Sequence, residues 1–253
     1  MTVAAGVRCL GGIVFGADTE ETFGDVRTRV YKIPCFRDAG DRTVAMITGA
    51  CDNGHVMDTA VERIFDAIIK QKPEYNQTLG DLLRDVMLKL YADDLRVYPS
   101  DAVNVHLLVA AKVPSEQNVE AWSIRCSIVR KMNHREIHGV GGLVQHILDY
   151  LYTYQMPVDD GILAMAQLLT FAKRHVVSVG GDSYISVLSD DGRLHQENLR
   201  FSPEREGLFD YFLSCGRQLL LATGKKELTP EQYDAIAQKF VSELKWYREN
   251  AIS

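Results

Sequence analysis

The spacing of apolar positions changes repeatedly along the chain, and each change marks a different kind of element. Residues 3–9 and 13–18 are short, largely apolar runs on either side of Gly11-Gly12. This predicts two strands joined by a glycine turn. The second shows no alternation, as expected of a strand covered on both faces. Residues 28–36 and 43–49 read as two further strands. The period then lengthens. Met57, Val61, Ile64, Phe65, Ile68 and Ile69 fall three and four apart, as do Leu79, Leu82, Leu83, Val86, Met87, Leu90 and Tyr91. Two amphipathic helices are predicted there, separated at Pro73. Strands return at 102–113 and 120–132. In the latter, Trp122, Ile124, Cys126 and Ile128 alternate with Ser123, Arg125 and Ser127, predicting one wet face. Helices near 143–155 and 159–175 flank Pro157. A strand at 184–188 then precedes the Asp190-Asp191-Gly192 turn and a short last strand.

The tail reads as helical. Ser202-Pro203-Glu204 and Thr229-Pro230-Glu231-Gln232 each pair an N-cap residue with proline at the first helical position. The chain is therefore expected to hold one domain over residues 1–200 and a C-terminal helical extension over 201–253. Strands, two helices, strands, two helices and strands in that order give an α+β class, not a wound βαβ sheet. A four-layer αββα sandwich is one way to bury every apolar face, and the pattern alone leaves other α+β arrangements open.

Composition narrows the function. A net charge of −6 gives no basic footprint for nucleic acid or an anionic membrane. No apolar run approaches the ~18 residues that span a bilayer. Residues 9–17 are too weakly flanked by positive charge, and too divided by Gly11-Gly12, for a secretion signal; the hairpin reading is preferred. Cys9, Cys35, Cys51, Cys126 and Cys215 are odd in number and form no Cys-x-x-Cys, so neither a disulfide framework nor a zinc site is indicated. A reducing cytoplasm fits. His134 and His138 form an H-x3-H pair without a further ligand at suitable spacing and read as solvated loop.

Three residues carry candidate chemistry. Thr2, once freed of Met1, would hold a hydroxyl nucleophile and an α-amine on one residue, and an amine of ordinary pKa about 7.7–8.0 serves as a base near neutral pH. A Met-Thr start alone carries no such meaning. Asp18 ends the second strand at the edge of an apolar run, where a turn residue is the plain reading. Lys32 reads as mid-strand, on the face of Val30; if it points inward it needs a carboxylate, which Asp18 could supply.

Residues 2–24, TVAAGVRCLGGIVFGADTEETFG, resemble the start of a mature proteasome β subunit, an N-terminal-nucleophile hydrolase. The shared features are the leading Thr, a G-[IV]-[RK] step, a G-[IV]-V strand and A-D-[ST]-x-x-T-x-G at 17–24. Val30 to Ile33 and Thr43 to Gly49 look like the segments that follow. The resemblance covers residues 2–195 in element order and is of the bacterial proteasome homologue type. It implies the αββα fold and a threonine-type endopeptidase without cofactor or metal. It also implies a homo-oligomeric ring acting on peptide or unfolded protein, with an ATP-dependent unfoldase left open as partner.

Residue by residue, the resemblance implies Thr2 as nucleophile, Asp18 and Lys32 as the charges that tune it, and Gly49 as an oxyanion-hole donor. Thr22 would line the substrate cleft through its backbone, and Ile47 would close the first specificity pocket. The sequence departs from the family at Val140, where a serine is expected between two glycines, and at 175–181, where an aspartate is missing before Gly180-Gly181 and Ser178 is offset by one. A silent assembly subunit and a small-molecule amidase of the same class are the alternatives.

Overall fold

The computed structural model describes residues 2–23, 26–37, 44–70, 78–94, 103–113, 118–139, 142–177, 179–195, 203–225 and 227–250. They belong to two compact units, Met1–Arg200 and Phe201–Ser253.

The first unit is built on two antiparallel sheets. β1 (Val3–Cys9) and β2 (Gly12–Asp18) pair as a tight hairpin closed by Leu10 and Gly11, with Gly11 at φ +91°. β10 (Arg135–Gly139) flanks β1, while β11 (Ser183–Ser189) and β12 (Leu194–His195) extend the sheet beyond β2. The second sheet runs β5 (Cys35–Arg37), β6 (Val44–Cys51), β7 (Val105–Lys112), β8 (Glu120–Arg125) and β9 (Ile128–Lys131). β3 (Glu20–Phe23) and β4 (Val26–Arg29) form a separate two-stranded ribbon.

Between the two sheets Ile13, Phe15, Met46, Leu108 and Leu188 are wholly buried. The outer face of the second sheet is covered by α1 (Gly54–Lys70) and α2 (Leu79–Lys89), which bury Ile64, Leu83 and Met87 against Ile47, Leu107 and Val109. α3 (Gly142–Leu151) packs beside α4 (Val158–His175), and α4 lies on β1, β2 and β11. The result is the four-layer αββα sandwich. Each fully buried Leu, Ile, Phe or Met side chain contributes roughly 1.5–3 kcal/mol to holding it. α2 starts where the Thr78 hydroxyl accepts from the Asp81 N–H at 3.2 Å. α4 carries Asp159 and Asp160 in its first turn and Lys173 and Arg174 in its last, matching the helix dipole.

The second unit is a helical hairpin of α5 (Pro203–Thr223) and α6 (Pro230–Asn250). α6 opens with a reciprocal capping box: the Gln232 N–H donates to the Thr229 hydroxyl, and the Thr229 N–H to the Gln232 amide oxygen. No helix among the described residues is long and apolar enough to cross a membrane.

Three expectations are corrected. Residues 28–36 are not one strand: β4 stops at Arg29, residues 30–34 are irregular, and β5 begins at Cys35. Pro34 has no N–H to give a ladder, and Lys32 must turn inward. Residues 120–132 are two strands, because Cys126 adopts φ +55° and reverses the chain. Ser123, expected on a wet face, is fully buried. His138 is not solvated loop: it lies in β10, 2% exposed, its Nε2 3.2 Å from the Ser123 hydroxyl. Pro73 lies outside the described residues.

Burial between the sheets, helped by His106 and Arg125, pushes the His138 imidazole down to about 3 from its ordinary 6.5. The unfolded chain therefore binds a proton that the folded chain refuses between those values, and stability falls as pH drops from about 6.5 towards 3. The slope attributable to His138 is up to ~1.4 kcal/mol per pH unit. Denaturant titrations at a series of pH values should show this slope in the native protein and a shallower one in His138→Gln; equal slopes would refute the assignment.

Candidate active site

The hairpin geometry brings the first candidate groups together. β1 and β2 pair with Ala4 opposite Ala17, so the start of β1 lies beside the end of β2. The Val3 N–H donates to Asp18 Oδ1 at 2.8 Å, with Asp18 fully buried. Lys32 enters from the irregular segment after β4. Its ammonium lies 3.4 Å from Asp18 Oδ2 and 2.7 Å from Thr2 Oγ1, and it also donates to the Glu20 carbonyl. Thr2, Asp18 and Lys32 thus form one contiguous group, with Lys32 between the hydroxyl and the carboxylate.

Burial pushes the Asp18 carboxyl above its ordinary 3.8, opposed by the Lys32 charge and by the N–H groups of Val3 and Gly180. The lysine charge at hydrogen-bond distance favours an ionised Thr2 oxygen.

Gly49 lies in β6 where β5 no longer accompanies it. The Ile47 N–H donates to the Pro34 carbonyl at 3.0 Å on the β5 side. Strand donors alternate, so the Gly49 N–H faces that same side, which beyond Ile47 is open cleft. A side chain cannot be carried there: a Cβ on Gly49 would sit 2.2 Å from the His106 carbonyl oxygen. Gly139, at φ +88°, is equally constrained, since its Cβ would lie 1.7 Å from the Thr2 carbonyl oxygen. Glycine at 139 lets β10 close on the first residue of β1.

A cleft of about 470 Å³ opens from Thr2, Lys32 and Gly49 along the first turns of α1, with Met57, Val61 and Phe65 on its wall. Its size is in the range of small-molecule and side-chain pockets.

No family model matches the chain, and no curated protein does. Solved structures do. An Anbu (Gly-1) mutant from Hyphomicrobium sp. strain MC1 superposes with a TM-score of 0.72 at 17% identity, covering 90% of this chain and 99% of its own. Anbu (ancestral beta-subunit) from Yersinia bercovieri gives 0.67 at 16%, covering 86% and 97%. The Anbu complex from Pseudomonas aeruginosa, solved as a helical assembly, gives 0.70 at 14%, covering 90% and 99%. The architecture is therefore that of Anbu proteins, a proteasome-like fold.

These findings correct the family resemblance read from residues 2–24. The solved structures named above are Anbu proteins, at an identity that carries the fold alone, and neither a family model nor a curated protein supports the bacterial proteasome homologue type. The physical reason is that the motif consists of the hairpin, its terminal carboxylate and the inward lysine. Those features belong to the layered architecture and are too few to specify one family within it.

The remaining candidates sit as follows. Thr22 lies in β3, its backbone paired with Arg27 of β4. Ile47 is wholly buried against α1 and is not among the described residues that line the cleft. Cys51, Met57, Val61 and Phe65 form the apolar wall instead. The alternation along β6 explains this: Ile47 points outward from the sheet beneath α1, one step below the cleft floor. Val140 and Ser178 lie outside the described residues. The helical positions lining the cleft were missed because Met57, Val61 and Phe65 read as an ordinary core stripe.

Gly49→Ala should destabilise the fold by about 1–3 kcal/mol, the usual cost of forcing extra volume onto packed backbone. Denaturant unfolding of the purified variant measures it; a loss below ~0.5 kcal/mol would show that β6 and β7 are not in the close contact described.

Proposed function

We propose that this chain is a threonine-type amide hydrolase acting on peptide or unfolded protein, with Thr2 as nucleophile once Met1 has been removed. The observation that supports it most is the Lys32 ammonium at 2.7 Å from Thr2 Oγ1, braced from behind by buried Asp18, at the inner end of an open cleft.

The chemistry follows from these positions. The freed Thr2 α-amine takes the hydroxyl proton, and Oγ1 attacks the substrate carbonyl carbon. Lys32 stabilises the negative charge on Oγ1, and the Gly49 N–H donates to the oxyanion that forms on the carbonyl oxygen. The C–N bond breaks as the leaving nitrogen takes the proton from the α-ammonium. Water then hydrolyses the ester, with the same amine as base. An extended peptide running along the edge of β6, towards the backbone of Thr22, would be held by main-chain hydrogen bonds. Every group required is protein; the proposed reaction uses neither cofactor nor metal.

The subunit is proposed to work in a homo-oligomeric ring or ring-like assembly in the cytoplasm, with an unfoldase as a candidate partner. Two observations favour assembly. The Pseudomonas aeruginosa Anbu complex is a helical assembly. In the C-terminal unit Leu220, Leu221, Val241 and Trp246 stand exposed, which is unfavourable for a hairpin left in water.

Thr2→Ala should abolish amide hydrolysis without unfolding the protein, since Thr2 adds little to the core. Lys32→Ala should slow single-turnover acylation of Thr2 by about a hundredfold to a thousandfold. Unit charges ~4 Å apart at an effective dielectric of ~20 interact by about 4 kcal/mol, partly expressed in the transition state. A Lys32→Ala protein that acylates within a few-fold of wild type would overturn this reading in favour of a silent assembly subunit.

A further inference from the structure

The wall of the cleft carries a charge pattern that the hydrolytic chemistry does not use. On α1, Met57, Val61 and Phe65 recur every four residues and give the cleft an apolar side. One position along, Asp58 and Glu62 line the same cleft, a single helical turn apart. Among the described residues neither carboxylate is ion-paired. Two like charges at this spacing repel each other, so the free protein holds them at a small cost that a cation would relieve. Lys32, the cation that lines the cleft beside them, is engaged with Thr2 and Asp18. The cleft thus combines, on one helix, an apolar wall of Met57, Val61 and Phe65 with the two carboxylates of Asp58 and Glu62.

We infer that the cleft selects a long side chain with an aliphatic stem and a cationic head, arginine or lysine, on the acyl side of the scissile bond. The methylene stem lies along Met57, Val61 and Phe65, and the head reaches Asp58 and Glu62. Arginine is favoured over lysine, because its fork of donors can engage two carboxylates together. A free acidic side chain is rejected by the same two charges.

This inference rests on the hydrolase reading for its biological meaning, but it is tested by binding, which does not need turnover. Peptides that differ only in one residue (Arg, Leu or Glu before an amide bond) are titrated by fluorescence anisotropy against the full-length Thr2→Ala protein. The Arg peptide is expected to bind about tenfold tighter than the Leu peptide and the Glu peptide weakest, with the Arg preference shrinking as salt is raised. The Asp58→Asn, Glu62→Gln double substitution should bring the Arg and Leu affinities within about twofold of each other. Should that double variant fail to fold, the salt dependence of the intact charge pair decides the question. Equal binding of Arg and Leu peptides at low salt, or a preference for Arg that survives both substitutions, overturns the inference. Failure of the hydrolase reading shows separately, as absence of acylation of wild-type Thr2 by any peptide amide.

Discussion

A carboxylate with no exposure to water must be compensated, and Asp18 shapes this end of the molecule accordingly. It takes the Val3 N–H on one oxygen and the Lys32 ammonium near the other. Those partners bind the start of β1 to the end of β2 and pull Lys32 in from a segment that would otherwise run on as a strand. Lys32 then reaches the Thr2 hydroxyl because Thr2 precedes Val3. Removing one member of such a buried pair leaves an uncompensated charge, typically a loss of about 3–5 kcal/mol. Because desolvating both charges offsets most of their attraction, such a pair adds little net stability over an apolar one; under the proposed function its contact with Thr2 would give it a chemical use.

The layers around this pair supply the cleft. β5 accompanies β6 only over residues 44–46, with one further bond from Ile47, so the strand edge beyond is left open beside Thr2. α1 begins directly after β6 and lays its first turns along that opening. Two glycines permit the close approaches, Gly49 over the His106 carbonyl and Gly139 over the Thr2 carbonyl. Thr2 thus comes from the start of the first sheet, Gly49 from β6 of the second and the apolar wall from the helix that follows β6, all held by the packed core between the sheets.

The hairpin of β1 and β2 was legible because a glycine turn between two apolar strands leaves few registers. Once that register is known, Asp18 beside Val3 follows from counting. The α1 and α2 stripes were legible for the same reason, since their period is unambiguous. Lys32 was placed correctly near Asp18 but on the wrong element, because Val30 to Ile33 has strand-like composition while the actual path is dictated by a charge that must be met. The turn at Cys126 left no signal: cysteine is not a usual occupant of a left-handed backbone position. His138 looked solvated because nothing local reveals that β10 closes against β1. Asp58 and Glu62 fall between the apolar positions of α1, where charged residues usually face solvent, so only the three-dimensional path of β6 shows that they border a cleft.

The central claim is that Thr2 is a nucleophile with a free amine. Intact mass measurement of the purified protein before and after reaction with a β-lactone, followed by mapping of the adduct, tests it most directly. The account predicts chains that begin at Thr2 and take up one label each, on Thr2 itself. Label confined to another residue, or bulk protein that retains Met1 and takes up none, would contradict it.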